Sequence, residues 1–157
     1  MASIGVIGAG TWGTALAVLL HNNGHQTAIW SALPEEIEEM TKTRRHKNLP
    51  EITIPEEIFL TADLEEAMAC KDVLIMAVPS VFVRSTAARM KPFLKKGQLV
   101  VDVAKGIEEG TLKTLSQVIE EELPEAETAI LSGPSHAEEV SRGLPTTCVV
   151  GAHRKET

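Results

Sequence analysis

Three glycines near the start of the chain constrain its fold more than any other feature. Gly8, Gly10 and Gly13 have the spacing G-x-G-x-x-G, and they lie between an apolar run at residues 3–7 and an apolar segment that begins at Thr11. A strand, a glycine turn and a helix N-terminus in this order form a cradle for phosphate, because the first amides of a helix have no intrahelical acceptor. The spacing therefore predicts an anion-binding β-turn-α unit.

Each glycine has its own physical reason in this motif. Gly8 permits the tight turn, Gly10 lets the backbone approach a pyrophosphate, and Gly13 lets the helix pack closely on the strand. We therefore interpret the motif as the binding site of a dinucleotide coenzyme. A glycine turn that serves packing alone is the alternative.

Composition narrows the class of protein. The chain has 157 residues, of which 43% are hydrophobic, and this is enough for one domain with a core. It has no apolar run of roughly 18 residues that would span a membrane, and no signal-peptide pattern. A net charge of −7 argues against a general nucleic-acid surface. Cys70 and Cys148 have no metal-ligand spacing and suit a reducing compartment, so we expect a cytoplasmic protein without a bound metal.

Apolar strand-like runs alternate with helical patterns along the chain. Strands are predicted within residues 3–10, 25–30, 72–80, 98–106, 127–135 and 145–152, and helices within residues 11–24, 33–43, 61–70, 81–94, 111–123 and 137–143. Residues 44–60 contain Pro50 and Pro55 and are predicted to form a surface loop. This alternation predicts an α/β fold: a doubly wound, Rossmann-type, mainly parallel sheet with helices on both faces.

The end of the second predicted strand lacks the acidic residue that commonly binds the ribose of NAD. Trp30 is followed by Ser31 and Ala32, so a 2′-phosphate on the ribose meets no repulsion from this position. The basic residues 44–47 either supply charge to such a phosphate or form a solvated loop. The sequence therefore predicts NAD or NADP as the coenzyme, with a slight preference for NADP.

Polar residues follow three other predicted strands, at the edge where ligands of doubly wound sheets bind. Ser80 follows one strand, Lys105 follows the next, and Gly133 and Ser135 follow the third. Lys105 is positioned to reach a ligand as a cation, and a surface lysine is the alternative. Ser135 either offers its hydroxyl to a polar ligand or caps the next helix, and the two roles are compatible.

Three further residues near these strand ends have less specific interpretations. His136 has no evident carboxylate partner and is interpreted as having no role in catalysis, with a role as an acid or base as the alternative. Asp102 lies within a predicted strand and is interpreted as a hydrogen-bonded acid of the core, with a contact to the ligand as the alternative. Trp12 lies inside the glycine turn. Its side chain either forms a wall of the ligand-binding crevice at the carboxyl ends of the strands or packs under the turn itself.

Four stretches carry a wider pattern: "GAGTWGTALA", "AVPS", "VAKGIE" and "LSGPSHAEEVSRGLPT", in this order along the chain. Together they resemble the N-terminal domain of the NAD(P)-dependent glycerol-3-phosphate dehydrogenase family, in its bacterial branch. The resemblance covers essentially all 157 residues. The family often has a basic or histidine residue just after the second strand, where this chain has Ser31 and Ala32.

The resemblance implies hydride transfer between a nicotinamide coenzyme and dihydroxyacetone phosphate or sn-glycerol 3-phosphate, in the synthesis of glycerophospholipids. By position, it implies coenzyme contacts for Gly8, Gly10, Thr11, Trp12, Gly13, Lys105 and Ala137. It implies substrate contacts for Lys105, Gly133 and Ser135.

The resemblance also implies that residues 1–157 are a slightly truncated dinucleotide-binding domain of a longer protein. In the family the general base is a lysine at the start of a C-terminal helical domain, so no catalytic residue is expected here, and we expect this part alone to bind coenzyme without turnover. The full-length protein is expected to be a homodimer and this part alone a monomer. Two alternatives stay open: a non-catalytic module that senses NAD(P), and another dehydrogenase of the same architecture.

Overall fold

A computed structural model describes residues 1–155 and 157. The strands are β1 (Ser3–Ile7), β2 (Gln26–Trp30), β3 (Phe59–Thr61), β4 (Val73–Met76), β5 (Leu99–Asp102), β6 (Glu127–Ser132) and β7 (Val149–Ala152). The α-helices are α1 (Thr11–Asn22), α2 (Pro34–Thr43), α3 (Leu64–Met68), α4 (Val83–Met90), α5 (Leu115–Glu122) and α6 (Ala137–Ser141). Short 3₁₀ helices at Ser80–Phe82 and Lys91–Phe93 flank α4.

The strands form one seven-stranded sheet in the order β3-β2-β1-β4-β5-β6-β7. Neighbouring strands from β3 to β6 are parallel, and β7 is antiparallel to β6. The strand order reverses beside β1, because the chain goes from β1 to β2 and β3 and then crosses back to β4. This topology confirms the predicted doubly wound, Rossmann-type fold.

The carboxyl ends of the central strands are in register. Ile7 pairs with both Trp30 and Met76, and Met76 pairs with Asp102. The segments that follow β1, β2, β4 and β5 therefore emerge side by side at one edge of the sheet. In open α/β sheets this edge, next to the point where the strand order reverses, is where ligands bind.

Apolar side chains cover both faces of the sheet. Ile7 and Met76 belong to one buried cluster, and their strand neighbours Val6 and Ile75 belong to the other. Successive side chains of a strand point to opposite faces, so each central strand contributes to both clusters. This double burial explains why the strands are continuous apolar runs in the sequence and do not alternate with polar residues.

The glycine turn packs directly against the chain that leaves β4. Gly8 has a φ of 127°, and a Cβ atom there would lie 2.7 Å from the carbonyl carbon and oxygen of Ala77. A Cβ atom at Gly13 would lie 2.0 Å from the carbonyl oxygen of Gly8. Gly10 differs from both, because among the described residues no atom other than those of Gly10 and its two chain neighbours lies within 4 Å of the position of its missing Cβ. Packing therefore explains Gly8 and Gly13 and leaves Gly10 without a structural requirement.

Two of the differences from the sequence prediction have clear local causes. Strand β3 falls at the end of the predicted loop, where it pairs with β2 over only three residues at the edge of the sheet. Helix α5 begins at Leu115 and not at residue 111, because Thr114 and Gln117 form a capping box and Leu112 has a positive φ of 58° that interrupts any earlier turn.

In the part of the chain that the structure describes, residues 1–155 and 157, no helix has the length and apolarity needed to cross a membrane. Among the same residues, no group of three or more His, Cys, Asp and Glu side chains is arranged to hold a metal ion. Cys70 and Cys148 are exposed free thiols.

Gly13→Ala is expected to lower the free energy of unfolding by on the order of 3 kcal/mol, because the added methyl group overlaps the carbonyl oxygen of Gly8. Urea unfolding of the two proteins measures the difference. Gly151→Ala is the matched control, since no atom lies within 4 Å of its missing Cβ. Equal stability of the Gly13→Ala variant and the parent chain would contradict the packing described above.

Candidate functional site

The glycine turn leaves three backbone amides at the start of α1 without an acceptor inside the helix. The first intrahelical hydrogen bond runs from the Thr14 amide to the Gly10 carbonyl at 2.9 Å, so the amides of Thr11, Trp12 and Gly13 have no acceptor inside the helix. The N-cap residue is Gly10, which has no side chain to accept a hydrogen bond from these amides. The first turn of α1 also contains no acidic residue. These amides, the positive end of the helix dipole and the open space beside Gly10 fit an anion such as a pyrophosphate.

The side chain of Trp12 links the glycine turn to the end of β5. Its indole Nε1 donates a hydrogen bond to the carbonyl oxygen of Val103 at 3.2 Å. The Nζ atom of Lys105 stands over the same ring, 5.8 Å from its centroid. The half-buried indole thus lies between the turn and the loop that carries Lys105, as expected of a wall of the crevice.

Lys105 meets the segment that follows β6. Its Nζ donates to the carbonyl oxygen of Gly133 at 3.2 Å and to Oγ of Ser135 at 3.4 Å. Lys105 is exposed, whereas Ser135 is buried. The structure therefore brings together three of the predicted site residues, which come from two different strand ends. An ammonium group has three donors, so Lys105 keeps the capacity to bind a further oxygen.

The turn after β6 is held by close backbone packing. A Cβ atom at Gly133 would lie 2.5 Å from the carbonyl oxygen of Thr147. Helix α6 begins at Ala137 and its N-cap is His136, whose side chain makes no capping bond. The interpretation of Ser135 as the helix cap is therefore wrong, because the cap is one residue later. Helix α6 packs against α1, and Ala137 stands at its first position.

A cluster of ion pairs fixes the loop beyond Lys105. Arg84 of α4 donates from Nε and Nη2 to the two carboxylate oxygens of Glu108, at 2.6 and 2.8 Å. It also donates to Glu121 and Glu122 of α5, at 2.9 and 2.7 Å. The hydrogen bonds from Arg84 lower the pKa of Glu108 to about 2, and the three carboxylates raise the pKa of Arg84. The bidentate pair therefore anchors the loop after β5 at Glu108, three residues beyond Lys105 in the sequence.

Asp102 ends β5 directly before this loop. It is only 4% exposed, and its Oδ1 accepts a hydrogen bond from the amide of Ala104 at 3.0 Å. Burial raises the pKa of Asp102 to about 6, and the bond from Ala104 opposes this shift in part. The interpretation of Asp102 as a buried acid is confirmed.

The end of β2 has a carboxylate that comes from α2. Oγ of Ser31 donates a 2.6 Å hydrogen bond to Oε2 of Glu36, and it accepts one from the amide of Leu33 at 3.2 Å. The amide of Gly8 donates to the carbonyl oxygen of Trp30 at 2.9 Å. The end of β2 therefore adjoins the glycine turn. The hydrogen bond from Ser31 holds the Glu36 carboxylate at this strand end.

The basic residues 44–47 divide into two groups. Arg44 is directed at the chain after α2, since its Nη1 donates to the carbonyl oxygens of Pro55 and Ile58 at 3.3 and 3.1 Å. The other three side chains line a cavity of about 230 Å³ beside α2: Arg45, His46 and Lys47. Burial lowers the pKa of His46, although the nearby charge of Glu36 opposes this shift.

Sequence patterns do not single out three residues that the structure places in or beside the site. Asn48 donates from Nδ2 to Oγ1 of Thr11 at 3.2 Å, across a sequence distance that no local pattern encodes. Glu36 is predictable as an acidic residue in the first turn of a helix, where the helix dipole favours negative charge. This pattern does not reveal the direction of its side chain. Arg84 has partners 24 to 38 residues away, and its sequence context gives no signal.

The fold and this site define a class of protein: a Rossmann-type domain with a glycine turn at the start of its first helix and a lysine at the neighbouring strand end. A family profile described as the N-terminus of NAD-dependent glycerol-3-phosphate dehydrogenase matches residues 3–157. The chain belongs to this family.

Individual relatives agree with the profile. The chain is 53% identical over 158 residues to a glycerol-3-phosphate dehydrogenase (NAD(P)+) of Agathobacter rectalis, covering 100% of this chain and 47% of that protein. It is 54% identical over 159 residues to a protein of the same name from Fusobacterium nucleatum subsp. nucleatum, covering 99% and 48%. A crystal structure of glycerol-3-phosphate dehydrogenase from Coxiella burnetii superposes with a TM-score of 0.92 at 30% identity, over 99% of this chain and 48% of that one. The chain thus spans about half the length of the curated relatives it matches.

Asp102→Asn is expected to stabilise the protein above pH 6 and to have little effect near pH 4. The folded-state pKa of Asp102, about 6, lies above its ordinary value of 3.8, so the unfolded chain loses this proton first as the pH rises. The aspartate therefore destabilises the folded state progressively between these two values, by up to about 3 kcal/mol above pH 6. Asparagine avoids this cost and still accepts the bond from Ala104.

Guanidinium unfolding of both proteins at pH 4 and pH 7.5 measures this difference. Comparison of the two proteins at each pH cancels the titration of the other acids. A stability difference that is the same at both pH values would contradict the account of Asp102.

Proposed function

We propose that this chain is the coenzyme-binding domain of an NAD(P)-dependent glycerol-3-phosphate dehydrogenase. The observation that carries the proposal is the free space beside Gly10 together with the first three amides of α1, which have no acceptor inside the helix, next to a lysine on the neighbouring strand end. A nicotinamide coenzyme supplies or accepts the hydride in the exchange between dihydroxyacetone phosphate and sn-glycerol 3-phosphate. The family membership and the names of the relatives support this substrate pair.

The proposed coenzyme-binding residues lie along the edge of the sheet that is formed by the carboxyl ends of the strands. The amides of Thr11, Trp12 and Gly13 bind the pyrophosphate, and the glycine positions Gly8 and Gly10 give it access. Lys105 and Ala137, from the neighbouring strand end and from the start of α6, complete the contacts. Either NAD or NADP fits this arrangement.

The substrate-binding residues of the proposal are Lys105, Gly133 and Ser135. The ammonium group of Lys105 is held by two neutral oxygens, so its charge is not cancelled by a carboxylate. A cation at this point stabilises negative charge on a substrate oxygen, either in the ground state or as it develops during hydride transfer. The buried hydroxyl of Ser135 keeps Lys105 oriented and offers a second polar contact.

The remaining machinery belongs to the half of the relatives that this chain does not span. We propose that residues 1–157 are one dinucleotide-binding domain and that a C-terminal helical domain carries the general base. General acid-base catalysis contributes about 10²–10⁴-fold, and without it we expect coenzyme binding without turnover. The proposal includes a cytoplasmic location, a homodimer for the full-length enzyme, a monomer for this chain, and a role in glycerophospholipid synthesis.

Two other functions are weaker candidates. A non-catalytic module that senses NAD(P) has no need for the Lys105–Ser135 contact. Another dehydrogenase of the same architecture is opposed by the family membership.

Gly10→Ala is expected to weaken the binding of NADH by about tenfold or more, because the methyl group occupies the space of the pyrophosphate. Its effect on the free energy of unfolding is expected to stay below about 1 kcal/mol, since nothing lies near the added atom. Isothermal titration calorimetry on the 157-residue chain gives the affinity. Gly151→Ala, a glycine with equally open surroundings on β7, serves as the control, and equal loss of affinity in both variants would refute the assignment.

Lys105→Met is expected to lower kcat/KM for dihydroxyacetone phosphate by about 10²-fold or more, through loss of the cation beside the reacting oxygen. The assay uses a polypeptide in which this chain is followed by a C-terminal half like that of the relatives. Lys91→Met, on the 3₁₀ helix at the end of α4, removes an exposed lysine at the opposite edge of the sheet and is expected to leave kcat/KM unchanged. Wild-type kinetics for Lys105→Met would remove the substrate-site assignment.

A further inference from the structure

The Ser31–Glu36 pair puts a fixed carboxylate at the end of β2. Ser31 is buried, and its single hydroxyl proton is donated to Glu36 while its oxygen accepts from the Leu33 amide. A serine hydroxyl has only one proton to donate, so the bond from Leu33 leaves that proton for Glu36. The buried hydroxyl therefore holds a half-exposed glutamate in one direction.

The position of this carboxylate matches a requirement of dinucleotide binding. Ser31 directly follows Trp30, which pairs with Ile7 at the last position of β1. The carboxylate is thus next to the glycine turn on its β2 side, where doubly wound folds bind the ribose that carries the adenine. In many such folds a carboxylate immediately after β2 accepts the ribose hydroxyls, and here a side chain five positions further along the chain reaches the same strand end.

The charges around this point do not favour a phosphate. The cavity beside Glu36 is lined by three carboxylates and two permanent cations: Glu35, Glu36, Glu39, Arg45 and Lys47. Burial lowers the pKa of His46, which also lines the cavity, and so disfavours a positive charge on its ring. The guanidinium of Arg45 donates from Nη1 to the carbonyl oxygen of Pro50 at 3.0 Å, which engages one of its five donors.

We propose that Glu36, held by Ser31, accepts the hydroxyls of the adenosine ribose and makes this chain select NAD(H) over NADP(H). The 2′-hydroxyl of NAD(H) donates a hydrogen bond to the carboxylate, whereas the 2′-phosphate of NADP(H) brings about two negative charges against it. This selectivity is opposite to the slight preference for NADP that the missing acid after β2 predicts. The inference rests on the proposed function and concerns the coenzyme of that same site.

Calorimetric titration of the 157-residue chain with NADH and with NADPH, at one fixed ionic strength, tests the inference. The parent chain is expected to bind NADH at least about tenfold more tightly than NADPH. Glu36→Gln keeps the shape of the side chain and removes its charge, and it is expected to reduce the affinity ratio at least about fivefold. Ser31→Ala keeps the charge and releases the side chain, and it is expected to change the ratio in the same direction.

Glu38→Gln is the matched control for these variants. Glu38 lies on the same helix and pairs with Lys42, and it does not line the cavity, so this variant has the same net charge as Glu36→Gln. It is expected to keep the affinity ratio of the parent chain. Thermal unfolding of each variant establishes that the domain is folded in the titration.

The outcomes separate this inference from the function on which it rests. Tighter binding of NADPH, equal binding of the two coenzymes, or a ratio that Glu36→Gln leaves unchanged would each overturn the role of Glu36 and leave coenzyme binding intact. An equal change of the ratio in Glu36→Gln and Glu38→Gln would assign the selectivity to net charge and overturn it as well. Failure to bind either coenzyme would overturn both proposals.

Discussion

The close contact between the glycine turn and the end of β4 is the interaction on which the rest of the structure depends. Gly8 and Gly13 have no Cβ atoms at two points where the backbone would collide with them, at Ala77 and at Gly8 itself. Because of this contact, α1 begins immediately beyond β1 and its N-terminus points at the sheet edge. A side chain at either glycine would push the helix away and move its amides out of reach of a ligand at that edge.

Everything at the candidate site is positioned relative to this turn. Trp12 reaches from it to Val103 and lies under the ammonium group of Lys105, and Lys105 in turn contacts Ser135 after β6. The site thus consists of side chains from separate strand ends joined by a few directed contacts. Arg84 supports it from outside by fixing the loop that carries Lys105, through its bidentate pair with Glu108.

Local sequence patterns predict the features that depend on local causes. The glycine spacing predicts β1, its turn and α1, and the alternation of apolar runs predicts the Rossmann-type sheet, because both depend on backbone geometry and burial along a short stretch. Lys105 and Ser135 are also predictable as neighbours, since carboxyl ends of adjacent parallel strands share an edge. Strand β3 is not predictable in this way, because only three of its residues pair with β2 and no apolar periodicity distinguishes them from a loop.

Features that depend on side-chain direction are beyond such patterns. Glu36 has the same sequence signal as any acid at a helix start, and only its bond to Ser31 reveals that it faces the end of β2. The alternative role of Ser135 as the cap of α6 fails for a similar reason. Ser135 is a good capping residue, but its hydroxyl contacts Lys105, and the N-cap of the helix is His136.

Amide chemical shifts in a ¹⁵N-labelled sample of the 17.0 kDa chain, followed during titration with NADH, test the central claim most directly. If the coenzyme pyrophosphate docks at the start of α1, the amide resonances of Gly10, Thr11, Trp12 and Gly13 shift the most and saturate together. Binding that leaves these four resonances unmoved, with the largest shifts elsewhere in the domain, would contradict the account.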